Sequence, residues 1–198
     1  MSKQKKLILI TFTVILGISI AIVLGFASIN PHKDVTKDLN YPPEFFCDNN
    51  ENHIDYQTDG NCAAYALAYV LRNLGEHTDG EMIVPKIRRV FGFVPPRSIV
   101  RVFEQYGFSS KAYYGDIATL KWRLSSGVPI IVFISIPNDT HYAVVVGYDK
   151  QYFYLVDSLL ENKNINENWY NRKLTNDEFE NIWRTNTLFS NNIYIVAF

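Results

Sequence analysis

A chain of 198 residues, 47% of them apolar and 15% aromatic, is long enough for one compact domain with a real core plus an appendage. Its 19 lysines and arginines nearly balance 20 aspartates and glutamates, for a formal charge of −1. That balance excludes an electrostatic footprint for nucleic acid and gives no basis for a strongly acidic or basic substrate.

The first element is an apolar block, Leu7 to Ile29, which carries no charge and follows Lys3, Lys5 and Lys6. As a helix it would rise on the order of 34 Å, against a bilayer core of ~30 Å. The lysines predict that residues 1–6 stay in the cytoplasm and that everything after residue 29 lies outside. The block is therefore expected to be a signal-anchor helix in a single-pass cell-membrane protein, with the lipid bilayer as a partner. The alternative is a cleaved signal peptide, with Gly25 and Ala27 as small residues before the cut; it would secrete the domain. The block is longer than the ~7–15 residues of a usual signal core.

Residues 30–56 are polar and hold Pro31, Pro42, Pro43 and the run Asp48–Asn52, the composition of an extracellular spacer. Within it, Phe45 and Phe46 are candidates to dock on the domain that follows, 57–198. There the pattern predicts a helix from Cys62 to about Leu74, capped by Asn61 or Asp59 and ended by Gly75. A capping-box pattern at Thr78–Glu81 predicts a second helix up to Phe91. Pro96 opens a third that stops at Gly107, and Asp116 caps a fourth that ends at Gly127. Apolar, β-branched and aromatic runs then predict strands at 129–136, 141–148 and 152–157. Residues 161–171 are Asn-rich and read as a loop or lid. Thr175 and Glu178 form a second capping box, for a helix through Trp183, and 193–198 is a final strand. Helices followed by consecutive strands predict an α+β domain with an antiparallel sheet.

Three residues in this layout carry a recognisable chemistry. Cys62 opens a helix, where free N–H groups and the helix dipole favour the thiolate. Gly60, Ala63 and Ala64 leave room beside its sulfur, its own N–H can hold an oxyanion, and Gln57 is a candidate second donor. His141 begins one strand and Asp157 ends the next, joined by the short turn Asp149–Gln151. A hairpin centred near residue 149 would set 141 opposite 157, so that the carboxylate orients the imidazole. Cysteine and histidine distant in sequence but adjacent in space are the form of a Cys–His nucleophilic site. The alternative for Cys62 is a disulfide to Cys47, the other cysteine of an exported domain. His32, His53 and His77 lie in polar loops without metal-binding spacing, so no metal or other cofactor is expected. Asn138-Asp139-Thr140 matches a glycosylation sequon and is read as a turn.

Gln57 to Leu71 resembles the opening motif of the papain-like superfamily, in particular the bacterial peptidases that remove double-glycine leaders from bacteriocin precursors and their stand-alone relatives. Ser126–Val132 resembles that family's first core strand, Thr140–Tyr148 its histidine strand and Leu155–Ser158 the segment with its third catalytic residue. The resemblance spans about 57–198. It implies a papain-like fold, with Cys62 as nucleophile, His141 as general base and then acid, Asp157 as orienting group, and Gln57 as oxyanion donor. A peptide or protein is the implied substrate. This chain departs from the pattern in having Ala63 where glycine usually follows the cysteine, and in placing Gln57 one residue closer to the cysteine than usual. Three functions stay open at this level. They are an extracellular thiol peptidase, an amidase or acyltransferase with the same triad, and a non-catalytic exported binding or immunity module with Cys47 and Cys62 bridged.

Overall fold

In the computed structural model, residues 5–6, 10–17, 31–34, 37–47, 52–58, 60–185 and 191–198 are described. The chain divides into two compact units, Met1–Asn30 and Pro31–Phe198. In the first, residues 10–17 are helical. No helix among the described residues is long and apolar enough to cross a membrane, and the rest of the expected anchor, 7–29, lies outside them.

The second unit is a mixed α+β domain around one sheet. Its strands are β1 (His32–Lys33), β2 (Phe45–Phe46), β3 (Ser110–Tyr114), β4 (Ile130–Ile136), β5 (Asp139–Tyr148), β6 (Tyr152–Val156), β7 (Arg172–Thr175) and β8 (Ile193–Ala197). They run in the order β1-β3-β8-β4-β5-β6-β7, with β2 paired to β5, and only the β1–β3 pair is parallel. Helices α1 (Cys62–Asn73), α2 (Gly80–Ile83) and α3 (Pro96–Gln105) precede β3, α4 (Ile117–Leu124) follows it, and α5 (Asn176–Trp183) follows β7.

Strand alternation divides the core in two. Tyr142, Val144 and Val156 pack with Leu67, Val70 and Leu71 of α1, while Ala143, Val145 and Leu155 pack with Leu120 and Leu124 of α4 and Phe179 and Trp183 of α5. The antiparallel sheet, covered by helices, thus agrees with the expected fold class.

Short-range signals set most helix ends. Gly75, at φ 95°, ends α1 with Glu76 N–H donating to Leu71 C=O and Gly75 N–H to Arg72 C=O, both at 3.0 Å, a Schellman motif. Asp116 and Thr175 each close a capping box at the starts of α4 and α5. The second helix departs from expectation: Asp79, not Thr78, caps it, and it ends at Ile83 instead of reaching Phe91. Pro85 has no N–H to give the C=O of Glu81, so the chain tightens into a 3-10 turn over Val84–Lys86 and leaves the helix.

The described parts of the segment expected to be a spacer, 31–34, 37–47 and 52–56, belong instead to the domain. β1 adds to β3, and the Cys47 N–H continues the β2 pairing by donating to Val146 C=O at 2.9 Å. Phe46 lies 4.9 Å from the Tyr154 ring and 5.2 Å from Trp169. It also covers Gly147, where an added Cβ would fall 2.2 Å from the Phe46 ring. Asp34 is buried and takes two bonds from the Arg123 guanidinium, at 2.7 and 2.8 Å, plus one from the Tyr194 hydroxyl. Asp34→Ala would strand a largely covered guanidinium and a buried phenol. Because Arg123 is partly exposed, we expect a loss near the low end for a broken buried pair, about 3 kcal/mol, read as a lower urea midpoint.

Candidate active site

Among the described residues no side chain caps the entry to α1. Asn61 sits at the N-cap, but its side chain makes no capping bond; it donates to Thr58 C=O at 2.9 Å and accepts from Arg89 at 2.6 Å. Arg89 also holds Gly60 C=O at 3.2 Å. Asp59, the other candidate cap, lies outside the described residues. The loop is thus braced from outside by Arg89.

Both cysteines are free, which overturns the expected alternative of a Cys47–Cys62 disulfide. Cys47 is buried with the cluster under α4 and α5, and Cys62 packs against the cluster under α1, on the other side of the sheet. Burial pushes the Cys47 thiol up to about 12, so it stays an inert, protonated core residue.

His141 and Asp157 are brought together, though not through the expected register. Asp149 bonds back to Tyr152 across a turn at Lys150–Gln151, and Tyr148 pairs with Phe153. Carried on unbroken, that register would set Asp157 beside Val144 and on the opposite face from His141. A bulge between Val145 and Gly147 adds one residue and re-pairs Val144 with Val156. The change of face is visible in the packing: Val144 and Val146 face α1, whereas Tyr148 joins Ala143 and Val145 on the other side. With it, residue 157 falls across from residue 143 and diagonal to 141, on one face. The Nε2 of His141 then lies 2.7 Å from Asp157 Oδ1.

Both groups are buried, at 2% and 0% exposure, so the charges they carry are set by their partners. Burial disfavours the imidazolium, but hydrogen bonds to Asp157 and to Cys62 outweigh it and push His141 up to about 9. Nε2 is taken by Asp157, which leaves Nδ1 for the cysteine. Burial likewise disfavours the Asp157 carboxylate; the bond from His141, its charge, the Leu159 N–H and the Arg172 charge hold the carboxyl below its ordinary range. Tyr142, beside His141, donates to Val94 C=O at 2.9 Å, and burial keeps its phenol protonated.

Asp157 is held by more groups than its strand position suggested. Oδ1 also accepts from Leu159 N–H at 2.9 Å; Oδ2 accepts from Asn162 at 3.0 Å and Arg172 at 2.8 Å. Asn171 clamps the backbone, donating to Asp157 C=O and accepting its N–H. The Asn-rich 161–171 segment is therefore a bracket for Asp157, a role visible only once β7 returns alongside β6. Gln57 reaches the same corner: its N–H donates to Ser158 C=O, and Ser158 Oγ donates to Gln57 Oε1, each at 2.8 Å. That fixes the carbonyl end of the amide and leaves Nε2 as the donating end.

His32, His53 and His77 are exposed, and His53 pairs with Asp55 at 2.9 Å. Among the described residues no three His, Cys, Asp or Glu side chains could hold a metal ion. The sequon is a turn, with Asn138 at φ 66° between β4 and β5.

The model of the Peptidase_C39 like family matches residues 19–188. No curated protein matches the chain. Among solved structures, xylellain, a cysteine protease from Xylella fastidiosa, is 15% identical with a TM-score of 0.60, covering 83% of this chain and 90% of its own. The peptidase domain of Streptococcus ComA, a bifunctional ABC transporter involved in quorum sensing, is 16% identical with a TM-score of 0.58, covering 74% and 98%. A double glycine motif protease from an AMS/PCAT transporter, in complex with the leader peptide, is 18% identical with a TM-score of 0.56, covering 75% and 94%. At these identities the likeness is one of fold, and the family match carries the class. With its α+β architecture, the chain belongs to the Peptidase_C39 like family and is a papain-like cysteine peptidase.

Proposed function

We propose that the chain cleaves a peptide bond through Cys62, His141 and Asp157, from a domain anchored to the outer face of the cell membrane by residues 7–29. The observation that carries the chemistry is the buried imidazole bonded to Asp157 at 2.7 Å, with Asp157 and Cys62 both raising its proton affinity. The anchor rests on the length of the uncharged block and the lysines before it.

In this reading the Cys62 thiolate attacks the substrate carbonyl carbon, and the C=O electron pair moves onto oxygen. The Cys62 N–H and Gln57 Nε2 receive that oxyanion. The intermediate collapses to a thioester as the C–N bond breaks, and the imidazolium of His141 gives its proton to the leaving amine. Water then attacks the thioester, passing a proton to His141, and the acid product leaves the restored thiolate. Asp157 holds the imidazole in one orientation and offsets its charge throughout.

One similar structure is a double glycine motif protease holding a leader peptide, so peptides with an internal Gly-Gly are the first probe. The full chain is incubated with a mixed peptide library enriched in such sequences, and new termini are read by mass spectrometry. Cleavage that stops on pretreatment with iodoacetamide is the expected result. A library left intact by chain whose Cys62 still alkylates would refute the peptidase reading. Recovery of the chain in the soluble fraction after carbonate extraction would refute the anchor.

A further inference from the structure

The loop between α2 and α3 carries an apex that this chemistry does not use. Val90 and Phe93 pair across a two-residue turn, with N–H to O=C distances of 2.7 and 3.0 Å. At the apex Phe91 and Gly92 both have left-handed φ, 49° and 85°. This is the type I′ arrangement, in which glycine or asparagine is the usual first central residue and a bulky aromatic is an outlier. Phe91 gains no burial in exchange: it is 98% exposed, and Phe93 is 66% exposed. A left-handed backbone and a bare ring in one residue are both unfavourable in water. Such a residue suits an apolar phase that no described part of the chain supplies.

The charge around the apex says which phase. Lys86, Arg88, Arg89, Arg97 and Arg101 are all exposed, and no aspartate or glutamate occurs from Met82 to Phe103. Among the described residues no carboxylate forms an ion pair with Lys86, Arg88, Arg89 or Arg101. Lys86 instead lies 4.4 Å above the Tyr106 ring and bonds its hydroxyl at 2.9 Å, and Arg89 braces the Cys62 loop. Two projecting aromatics in a stretch of chain that carries cations and no carboxylate match a surface that is anionic outside and apolar beneath.

We infer that the Val90–Phe93 turn inserts into an anionic lipid bilayer, with Phe91 and Phe93 at the acyl boundary and cations of the same segment at the phosphates. A peptide lying beside the turn would cover one side of a ring that its own domain scarcely touches. A bilayer surrounds it. The turn is rooted at the proposed site, through Arg89 to Gly60 and Asn61 and through Val94 C=O to Tyr142, so insertion would hold the mouth of the site near the lipid surface. The inference goes beyond the peptidase reading and does not require it.

The test uses the full chain carrying Phe91→Trp, in vesicles of phosphatidylcholine and phosphatidylglycerol with brominated acyl chains. The parent chain, with Trp122, Trp169 and Trp183, gives the background. Quenching several-fold above that background is expected for Phe91→Trp and, in a second variant, for Phe93→Trp. It should weaken in phosphatidylcholine alone and with Arg88→Glu/Arg101→Glu. Quenching no greater than the parent's in both tryptophan variants overturns the inference. So does an emission shift produced by added peptide or by protein concentration without lipid, which would identify a peptide or a second copy as the occupant. Cys62 alkylation in the same samples reports the state of the site separately, so failed insertion is distinguishable from a failed peptidase reading.

Discussion

Cys62→Ala is expected to lower kcat/KM on a cleaved peptide by roughly 10⁴-fold or more, because no other group in the site can form the thioester. The substitution removes one small, half-buried side chain at the start of α1, so the urea midpoint should barely move. His141→Ala should lose a similar factor, and the double variant should lose little more, since groups that act as one unit are strongly non-additive. Gln57→Ala should behave differently. It removes one oxyanion donor and should lower kcat by roughly 10²–10³-fold, while Cys62 alkylates as in the parent. Limiting iodoacetamide at about pH 6 reads the pairing directly, because only a thiolate reacts quickly there. Cys62 should be modified selectively in the parent and hardly at all in His141→Ala; buried, protonated Cys47 should be spared in both. Full peptide hydrolysis by Cys62→Ala would sink the assignment.

Asp157→Ala should damage stability and rate together. Its carboxylate is fully buried and is bonded by His141, Leu159 N–H, Asn162 and Arg172. Removing it leaves a nearly buried guanidinium and an imidazole without their acceptor. Breaking a buried ion pair from one side costs about 3–5 kcal/mol. Asp157→Asn keeps the volume and some acceptor capacity, so it should unfold less readily yet still lose on the order of 10⁴-fold in kcat, as a mis-set imidazole tautomer would cause.

The pH dependence has a definite sign. The folded pKa of His141 is raised to about 9 from an ordinary 6.5, so the stability it contributes is complete below 6.5 and disappears as pH rises through 9. Asp157 is lowered from an ordinary 3.8, so its contribution is present above that value and disappears as pH falls through the depressed one. The stability gap between parent and Asp157→Asn, measured by urea unfolding across pH, should therefore be flat at weakly acidic pH and close toward pH 9. The alkaline limb of the parent rate profile should lie near pH 9 and move down in Asp157→Asn. An unmoved limb would mean that Asp157 does not set the proton affinity of His141.

Much of this domain can be read from short stretches of sequence because the forces behind them act over a few residues. Gly75 stops α1 because left-handed backbone suits glycine, and Asp116 and Thr175 start α4 and α5 because their side chains reach amides three residues on. The second helix shows a local signal misjudged: a helix does start there, but Asp79 caps it in place of the 78–81 box, and Pro85, four residues after Glu81, ends it early.

By itself the sequence determined the start of α1 at Cys62, the strands bearing His141 and Asp157, and the antiparallel α+β class. Only the tertiary structure decided how those residues meet. The parity of His141 and Asp157 depends on one extra residue at the Val145–Gly147 bulge, which is invisible to any count of alternating side chains. Arg172, Asn162 and Asn171 reach Asp157 because β7 pairs with β6, and residues 31–34 and 37–47 become part of the domain because β1 and β2 find β3 and β5. Cys62 and Cys47 stay apart because a sheet lies between them. Turn and cap chemistry is local and so is written in neighbouring residues. Strand partners, sheet faces and the company of a buried charge follow from pairings distant in sequence, which become definite only when the whole core closes.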